Sequence, residues 1–292
     1  MSQKPKIYIL GASGFLGNRC AEYFRSHGYS IFNNRIDVTD LRAFEWAFEF
    51  LRPDIAVNLT GPPANPTIDW CEDHKEETEM MLVTAPSNFA YAALKWNVYP
   101  IQVTSGCVYT GGPEYAFTEE DEPNFFGSFY SRMRILAQKA LAELSVLQAR
   151  IRMPVAAFPH PRNFITKITS YRRVISAPNS VTFLDDFWPA LEQLIKIRMV
   201  GILNLTNEGY TEHKQILEAY RKFVDPDHDY EPISLEQLEG PGGITKARRS
   251  NCVLSVEKAK SLGINMPTLT EERLEEIMKK YKYSLKANKL LS

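Results

Sequence analysis

Three side chains with proton-transfer chemistry, and a cation beside one of them, stand in two short stretches, Val103-Thr104-Ser105-Gly106-Cys107-Val108-Tyr109 and Tyr130-Ser131-Arg132-Met133-Arg134. Ser105 and Tyr130 offer a hydroxyl pair of the kind that serves hydride transfer to a carbonyl. Cys107 follows Ser105 by two residues, so on an extended strand end both side chains point to the same side. A thiol there allows a second proton transfer beside the first. A phenol with an ordinary pKa near 10 needs help to move protons at neutrality, and Arg134, one helical turn after Tyr130, supplies positive charge on the same face. Arginine does not exchange its own proton, so it acts as a charge and a donor only.

A second constellation lies at the start of the chain. Gly11-Ala12-Ser13-Gly14-Phe15-Leu16-Gly17 follows the apolar run Lys6–Leu10 and opens an amphipathic stretch. Strand before and helix after are the context a dinucleotide fingerprint requires. Its glycines permit a tight turn and close approach of backbone to a pyrophosphate, and the helix N-terminus adds free N–H groups. Gly11, Ser13, Gly14, Phe15, Leu16 and Gly17 are therefore the candidate cofactor loop. After the second strand an NAD enzyme usually places a carboxylate on the ribose; Asn33-Asn34-Arg35 stands there instead. Asn33 and Arg35 favour the 2′-phosphate of NADP, the plainer alternative being a solvent-facing arginine. Asp37 is a candidate adenine contact, and Asp40 a helix cap.

The elements that must position these groups alternate. Strands are expected at Lys6–Leu10, Tyr29–Phe32, Ile55–Leu59 and Pro100–Thr104. Helices are expected over Asn18–His27, Asp40–Leu51, Glu77–Trp96 and Ser128–Ser145, with Pro86 kinking or breaking the third. Such alternation implies parallel pairing, hence an α/β fold of Rossmann type with a doubly wound parallel sheet. Beyond about residue 150 the pattern loosens: Pro154, Pro159 and Pro161 precede a short helix from Asn163, Gly201–Thr206 is a further core strand, and Glu239–Gly243 a turn-rich loop. The expected domains are 1–153 for NADP and 154–292 as a smaller, interleaved C-terminal substrate lobe, with about 181–206 returning to the Rossmann core. Lys279–Ser292 reads as a frayed helix end or tail.

Bulk properties narrow the class. The chain has 292 residues, 44% hydrophobic and 24% charged, with a formal charge of −1. That is an ordinary globular composition with no signature of a nucleic-acid or membrane partner, and no apolar stretch approaches a membrane span. Four scattered cysteines show no zinc spacing, and the start Met1–Lys6 lacks a signal-peptide core. Free thiols in a reducing cytoplasm, and no metal, are expected. His27, His160, His213 and His228 have no partners at metal or triad spacing. The acids of Glu72–Glu77 read as a helix start at its positive dipole end, and Asp185-Asp186 as a cap or loop contact.

Taken together, the chain resembles the extended short-chain dehydrogenase/reductases. Within them it is similar to the RmlD-like nucleotide-sugar reductases, above all the bifunctional 3,5-epimerase/4-reductases of UDP-4-keto-6-deoxyglucose. The resemblance runs along most of the chain, through Asp69-Trp70-Cys71-Glu72, Thr104–Cys107, Pro123–Ser131, Arg152-Met153-Pro154, Pro161–Lys167, Pro178–Thr182 and Arg249-Ser250-Asn251. It implies that Tyr130 protonates the C4 oxygen as hydride arrives from NADPH, that Ser105 hydrogen-bonds that oxygen, and that Leu59, Thr60 and Gly61, with Tyr130 and Arg134, also line the cofactor. Two departures stand out: Arg134 replaces the family lysine, and Leu82 an asparagine. Epimerisation needs a base and an acid on opposite faces of the sugar ring. Cys107 is one candidate and Lys167, on the helix face of Asn163, the other; which is acid and which base stays open. Arg162, Asn163 and Arg249 are candidate ligands for the uracil and diphosphate, surface ion pairing being the plainer alternative. The implied substrate is a UDP-sugar giving UDP-β-L-rhamnose, and the implied assembly a homodimer. A reductase acting on a pre-epimerised sugar, and a catalytically silent NADP-binding regulatory subunit, are the alternatives.

Overall fold

The computed structural model describes residues 4–291, with side chains as far as residue 287; residues 1–3 and Ser292, which belong to the expected start and tail, lie outside the described residues. The chain divides into two compact units. The first takes Met1–Val108, Pro123–Arg150 and Glu192–Leu203, and the second Tyr109–Glu122, Ile151–Leu191 and Asn204–Ser292. The break expected after residue 153 falls at Arg150, and the returning segment narrows to Glu192–Leu203. The excursion Tyr109–Glu122 carries no sequence signal that would set it apart from its surroundings.

The first unit is built on a six-stranded sheet ordered Gly201–Asn204, Leu147–Ile151, β4 (Tyr99–Ser105), β3 (Ile55–Asn58), β1 (Lys6–Leu10), β2 (Ser30–Phe32). Pairing of β1 with both β2 and β3, and of β3 with β4, is parallel. β1, β3 and β4 are nearly continuous buried runs, as strands covered on both faces must be, while β2 at the edge is exposed to half-buried. From β1 the chain passes to β2 on one side and returns to β3 on the other. The strand order therefore reverses between β1 and β3, and the loops after these strands flank the place where open α/β sheets bind ligands.

Helices α1 (Phe15–Ser26), α2 (Leu41–Leu51) and α5 (Ala85–Lys95) follow the strands as expected. Asp40 caps α2 by accepting from the Arg42 amide at 2.9 Å. Phe44, Ala47 and Phe48 of α2 pack with Phe89, Ala92 and Ala93 of α5 over Tyr8, Leu10 and Ala56 of the sheet. The expected helix Glu77–Trp96 is instead α4 (Lys75–Glu79), a π-helical turn at Met80–Thr84, and α5. Pro86 lies in the first turn of α5 and has no N–H to give the carbonyl four residues back, so the wider turn precedes it. Leu82, one of the two departures, is fully buried in that turn.

Helix α6 (Phe129–Ala140) ends five residues before the expected Ser145. The strand Leu147–Ile151 is hidden from a pattern reading, because Gln148 and Arg150 interrupt its apolar run. Both are buried, Arg150 completely, and Arg150 Nη2 donates to Gln138 Oε1 at 2.7 Å.

The second unit packs α7 (Phe164–Thr169), α9 (His213–Phe223) and the long C-terminal helix Glu271–Leu291 around Val155, Ile165, Phe183, Leu217, Ile277 and Tyr281. The segment read as a frayed helix end or tail is the end of this helix, which buries Ile277, Met278 and Tyr281 and pairs Lys280 with Glu276 at 2.7 Å. Asp186 meets Asn207 and Arg273, a structural contact. Among the described residues no helix is long and apolar enough to cross a membrane.

His213 at the start of α9 is buried with Phe164 against its ring, and its Nδ1 has no partner. Burial and the Arg152 charge depress its pKa from 6.5 to about 4, against weaker opposing effects of the Ala177 backbone and Glu212. The folded protein keeps this ring neutral while the unfolded chain protonates it below pH 6.5. Stability is therefore present above pH 6.5 and lost as the pH falls towards 4, on the order of 3 kcal/mol in all. His213→Gln should flatten thermal unfolding temperature across pH 6.5 to 4; an unchanged slope in that window would contradict the assignment.

Candidate active site

The glycine loop is forced by close contacts. Gly11 has φ +76°, and a Cβ on it would lie 3.1 Å from the Leu59 carbonyl carbon. A Cβ on Gly17 would fall 2.0 Å from the Gly11 oxygen and 2.7 Å from Ala12 Cα. The loop after β1 is thereby pressed against both the loop after β3 and the first turn of α1. Gly14 is the N-cap of α1 and gives no side-chain cap, so the helix start at Phe15 leaves backbone N–H groups for a ligand. The helix opens inside the motif rather than at Asn18, which places Phe15, Leu16 and Gly17 in its first turn. These residues fit a dinucleotide pyrophosphate.

On the far side of β1, Asn33 and Arg35 are exposed directly after β2, an arrangement open to a ribose phosphate. Asp37 is differently employed. Its Oδ1 accepts from the Thr39 amide and hydroxyl at 2.9 and 2.7 Å, and these bonds hold its carboxyl below the usual range. It closes a turn. After β3, buried Asn58 pins Leu59-Thr60-Gly61: its Oδ1 accepts from the Thr60 amide and hydroxyl while its Nδ2 donates to Gln102. The Asn-x-Thr spacing is the sequence signal of this turn, one that strand and helix periodicity does not register. Gly17→Ala should remove NADPH binding, measured by quenching of protein fluorescence, and cost about 1–3 kcal/mol of stability by overpacking. Undiminished binding would show that the loop does not carry the cofactor.

Ser105 is the last residue of β4, whereas Cys107 lies in the turn that follows. The strand alternation expected to align them therefore does not apply. A turn does the work instead: the Cys107 amide donates to Ser105 Oγ at 3.1 Å. Because Oγ accepts there, its own proton is left for a substrate oxygen. Both residues are half-buried, and Cys107 is in no disulfide.

Tyr130 occupies the first turn of α6, whose N-cap Ser128 accepts from the Ser131 amide. Arg134 Nε donates to the Tyr130 hydroxyl oxygen at 3.1 Å, and its guanidinium lies 5.2 Å from the Tyr130 ring centroid. The Arg134 Nη2 would be 3.7 Å from a Cβ at Gly61, so the cation bridges from the phenol to the loop after β3. Ser105, Cys107, Tyr130, Arg134, the glycine loop and Leu59–Gly61 all belong to the first unit.

The second unit holds Lys167, Arg162, Asn163 and Arg249. Asn163 is fully buried and caps α7. Its Oδ1 accepts from the Ile165 and Ala156 amides, and its Nδ2 donates to the Ala156 and Phe158 carbonyls. Both amide protons and both lone pairs are thus spent on the backbone, which makes Asn163 a builder of the helix start and leaves nothing for a diphosphate. Lys167 is half-buried one turn on. Burial, followed by the charges of Arg162 and Arg249, lowers its pKa below the usual lysine range. Arg162 is exposed, and Arg249 Nη1 donates to the Ala247 carbonyl at 2.7 Å. Three cations therefore gather around one helix start, where they suit an anion and ease deprotonation of the lysine.

Comparison with known proteins places this geometry. The model of the RmlD substrate binding domain matches residues 5–283. A bifunctional dTDP-4-dehydrorhamnose 3,5-epimerase/dTDP-4-dehydrorhamnose reductase of Arabidopsis thaliana is 32% identical over 268 residues, 89% of this chain and 88% of its own length. The crystal structure of the L780 UDP-rhamnose synthase from Acanthamoeba polyphaga mimivirus is similar at TM-score 0.88 and 31% identity, covering 94% of this chain and 99% of that one. A dTDP-4-dehydrorhamnose reductase from Bacillus anthracis in complex with NADP shares the fold, at TM-score 0.80 and 17% identity over 95% and 98% of the two chains. With a fold, a hydroxyl pair and a family match that agree, the chain belongs to the RmlD substrate binding domain family, among enzymes that reduce and epimerise nucleotide sugars.

Proposed function

We propose that the chain converts UDP-4-keto-6-deoxy-D-glucose to UDP-β-L-rhamnose, by epimerisation at C3 and C5 and reduction of the C4 ketone, with NADPH as cofactor. The observation that carries the reductive half is the Arg134–Tyr130 hydrogen bond on α6. NADP is favoured over NAD by exposed Arg35 and Asn33 where a carboxylate would otherwise stand, and the NADP complex of the Bacillus anthracis relative agrees. Gly11, Ser13, Gly14, Phe15, Leu16 and Gly17 would hold the pyrophosphate, with Leu59–Gly61 beside them. Bound NADPH supplies the hydride that reaches C4.

The chain's own residues do the rest. Tyr130 gives its proton to the C4 oxygen, which Ser105 holds through its unspent hydroxyl proton. Arg134 fixes the phenol by donating to its oxygen and places positive charge where negative charge develops. It returns no proton, so Tyr130 is reprotonated from solvent. For epimerisation, the C4 ketone acidifies the protons on C3 and C5. Cys107 and Lys167 take the roles of base and acid, one removing each proton and the other returning one to the opposite face. The lowered pKa of Lys167 supports its part. Arg162 and Arg249 would bind the diphosphate, with Asn163 holding the helix start that presents Lys167. Four cysteines, none of them in a disulfide, fit a reducing, cytoplasmic setting, and a homodimer completes the reading.

The test is to supply NADPH with UDP-4-keto-6-deoxyglucose, and in parallel its dTDP counterpart, and to identify the products by NMR. UDP-β-L-rhamnose formed in preference to the dTDP sugar is expected. NADPH left unconsumed with both would overturn the reading.

A further inference from the structure

The Asp69-Trp70-Cys71-Glu72 block takes no part in the chemistry above, yet it touches the helix that carries it. The acids of Glu72–Glu77 read from sequence as a group serving their own helix start. Glu76 and Glu77 do sit in the first turn of α4. Glu72 sits in the first turn of a separate short helix, α3 (Trp70–Asp73), and its carboxylate serves α6, 57 residues away, as well.

Glu72 Oε1 accepts from the Phe129 amide at 2.6 Å. Phe129 is the first residue of α6, and this amide is one of the orphan donors a helix start must satisfy. Ser128 Oγ takes the Ser131 amide at 3.1 Å. Tyr130 therefore lies between two anchored amides, one held locally and one by a distant carboxylate. The other Glu72 oxygen is 3.9 Å from Arg132 Nη2, and Arg132 Nη1 donates to the Phe126 carbonyl at 2.9 Å. Arg132 and Lys75 both lie over the Phe129 ring, at 5.5 and 5.9 Å from its centroid. The turn that offers Glu72 is itself stiff: Trp70 and His74 stack at 4.0 Å, and His74 Nδ1 bonds the Trp70 carbonyl oxygen at 2.9 Å. The neighbouring Cys71 is fully buried within electrostatic reach of Arg134. The short helix thus braces the start of α6, one residue before Tyr130.

We propose that Glu72 is a positioning residue for the reduction: fixed on the first amide of α6, its carboxylate sets where Tyr130 presents its phenol. The proposal rests on the reductase reading above. Glu72 touches no reacting atom and acts through the helix start. A charged acceptor at a helix N-terminus is stronger than a neutral one, and a displacement of about 1 Å at a proton donor can cost ~10²-fold in rate.

The test compares Glu72→Ala and Glu72→Gln with the wild type. The readouts are kcat and KM for NADPH-dependent reduction of a pre-epimerised 4-keto sugar nucleotide, and hydrogen exchange of the Phe129–Arg132 amides in the free protein. Glu72→Ala should lower kcat ~10-fold or more with KM for NADPH unchanged, and should speed exchange in the first turn of α6. Glu72→Gln keeps an acceptor for the Phe129 amide and should recover most of both. Should the alanine variant fail to fold, Glu72→Asp, one methylene too short for the same contact, must show the kcat loss in its place. Unchanged kcat in an active protein, or equal losses in Gln and Ala with NADPH affinity falling in step, would overturn the proposal. A wild type that turns over neither sugar would overturn the reductase reading instead, while exchange unaltered by Glu72→Ala would refute the bracing of α6 on its own.

Discussion

Tyr130→Phe is expected to lower the rate of ketone reduction by ~10²–10⁴-fold, the usual worth of a positioned proton donor. The ring remains, so its packing beneath the Arg134 guanidinium survives, and the loss is confined to the hydroxyl that Arg134 Nε meets at 3.1 Å. NADPH binding should stay within about threefold of wild type, because in the proposed site the glycine loop and Arg35 would carry most of that contact. The measurement is single-turnover oxidation of NADPH with a saturating 4-keto sugar nucleotide. A variant that reduces the ketone at the wild-type rate would show that the proton comes from another group. The serine–phenol pair would then have lost its place in the mechanism.

Cys107→Ala separates the two halves of the reaction. Epimerisation should fall by ~10²–10⁴-fold, while reduction of a pre-epimerised substrate continues. The structure makes this a clean substitution. The bond to Ser105 Oγ comes from the Cys107 backbone amide, so alanine preserves the turn that fixes Ser105 and removes only the thiol. NMR of the products, with and without prior epimerisation, checks it. Rhamnose formed as before from UDP-4-keto-6-deoxyglucose would remove Cys107 from the chemistry and leave Lys167 without a partner. Reduction lost together with epimerisation would instead point to disturbance of Ser105.

The features legible in the sequence are local ones. The β1–glycine loop–α1 unit follows from a short apolar run, three glycines and a helical period, and Gly17 stands where only a hydrogen atom fits. The parallel sheet follows from alternation alone. The strand Leu147–Ile151 escapes because a strand buried on both faces is expected to be apolar, whereas Gln148 and Arg150 are buried here and both donate to Gln138 of α6. Strand periodicity pairs Cys107 with Ser105 for the wrong reason: it ends at Ser105, and a turn with its own hydrogen bond takes over. Asn163 looks like a ligand because its residue type suits one, yet its position immediately before a helix is the stronger signal for a cap. Glu72 has no local signal at all. Its partner lies in another helix, and only the folded chain brings the carboxylate to the Phe129 amide.

One measurement bears on the epimerase–reductase assignment most directly. The protein is given UDP-4-keto-6-deoxyglucose and unlabelled NADPH in deuterium oxide, and the sugar nucleotide formed is analysed by proton NMR and mass. Protons removed and returned at C3 and C5 exchange with solvent, whereas the hydrogen at C4 arrives as hydride from the cofactor. The expected product is UDP-β-L-rhamnose carrying deuterium at C3 and C5 and hydrogen at C4. A reduced sugar without deuterium at C3 and C5, and with the gluco-derived configuration retained there, would contradict the assignment and leave a ketone reductase alone.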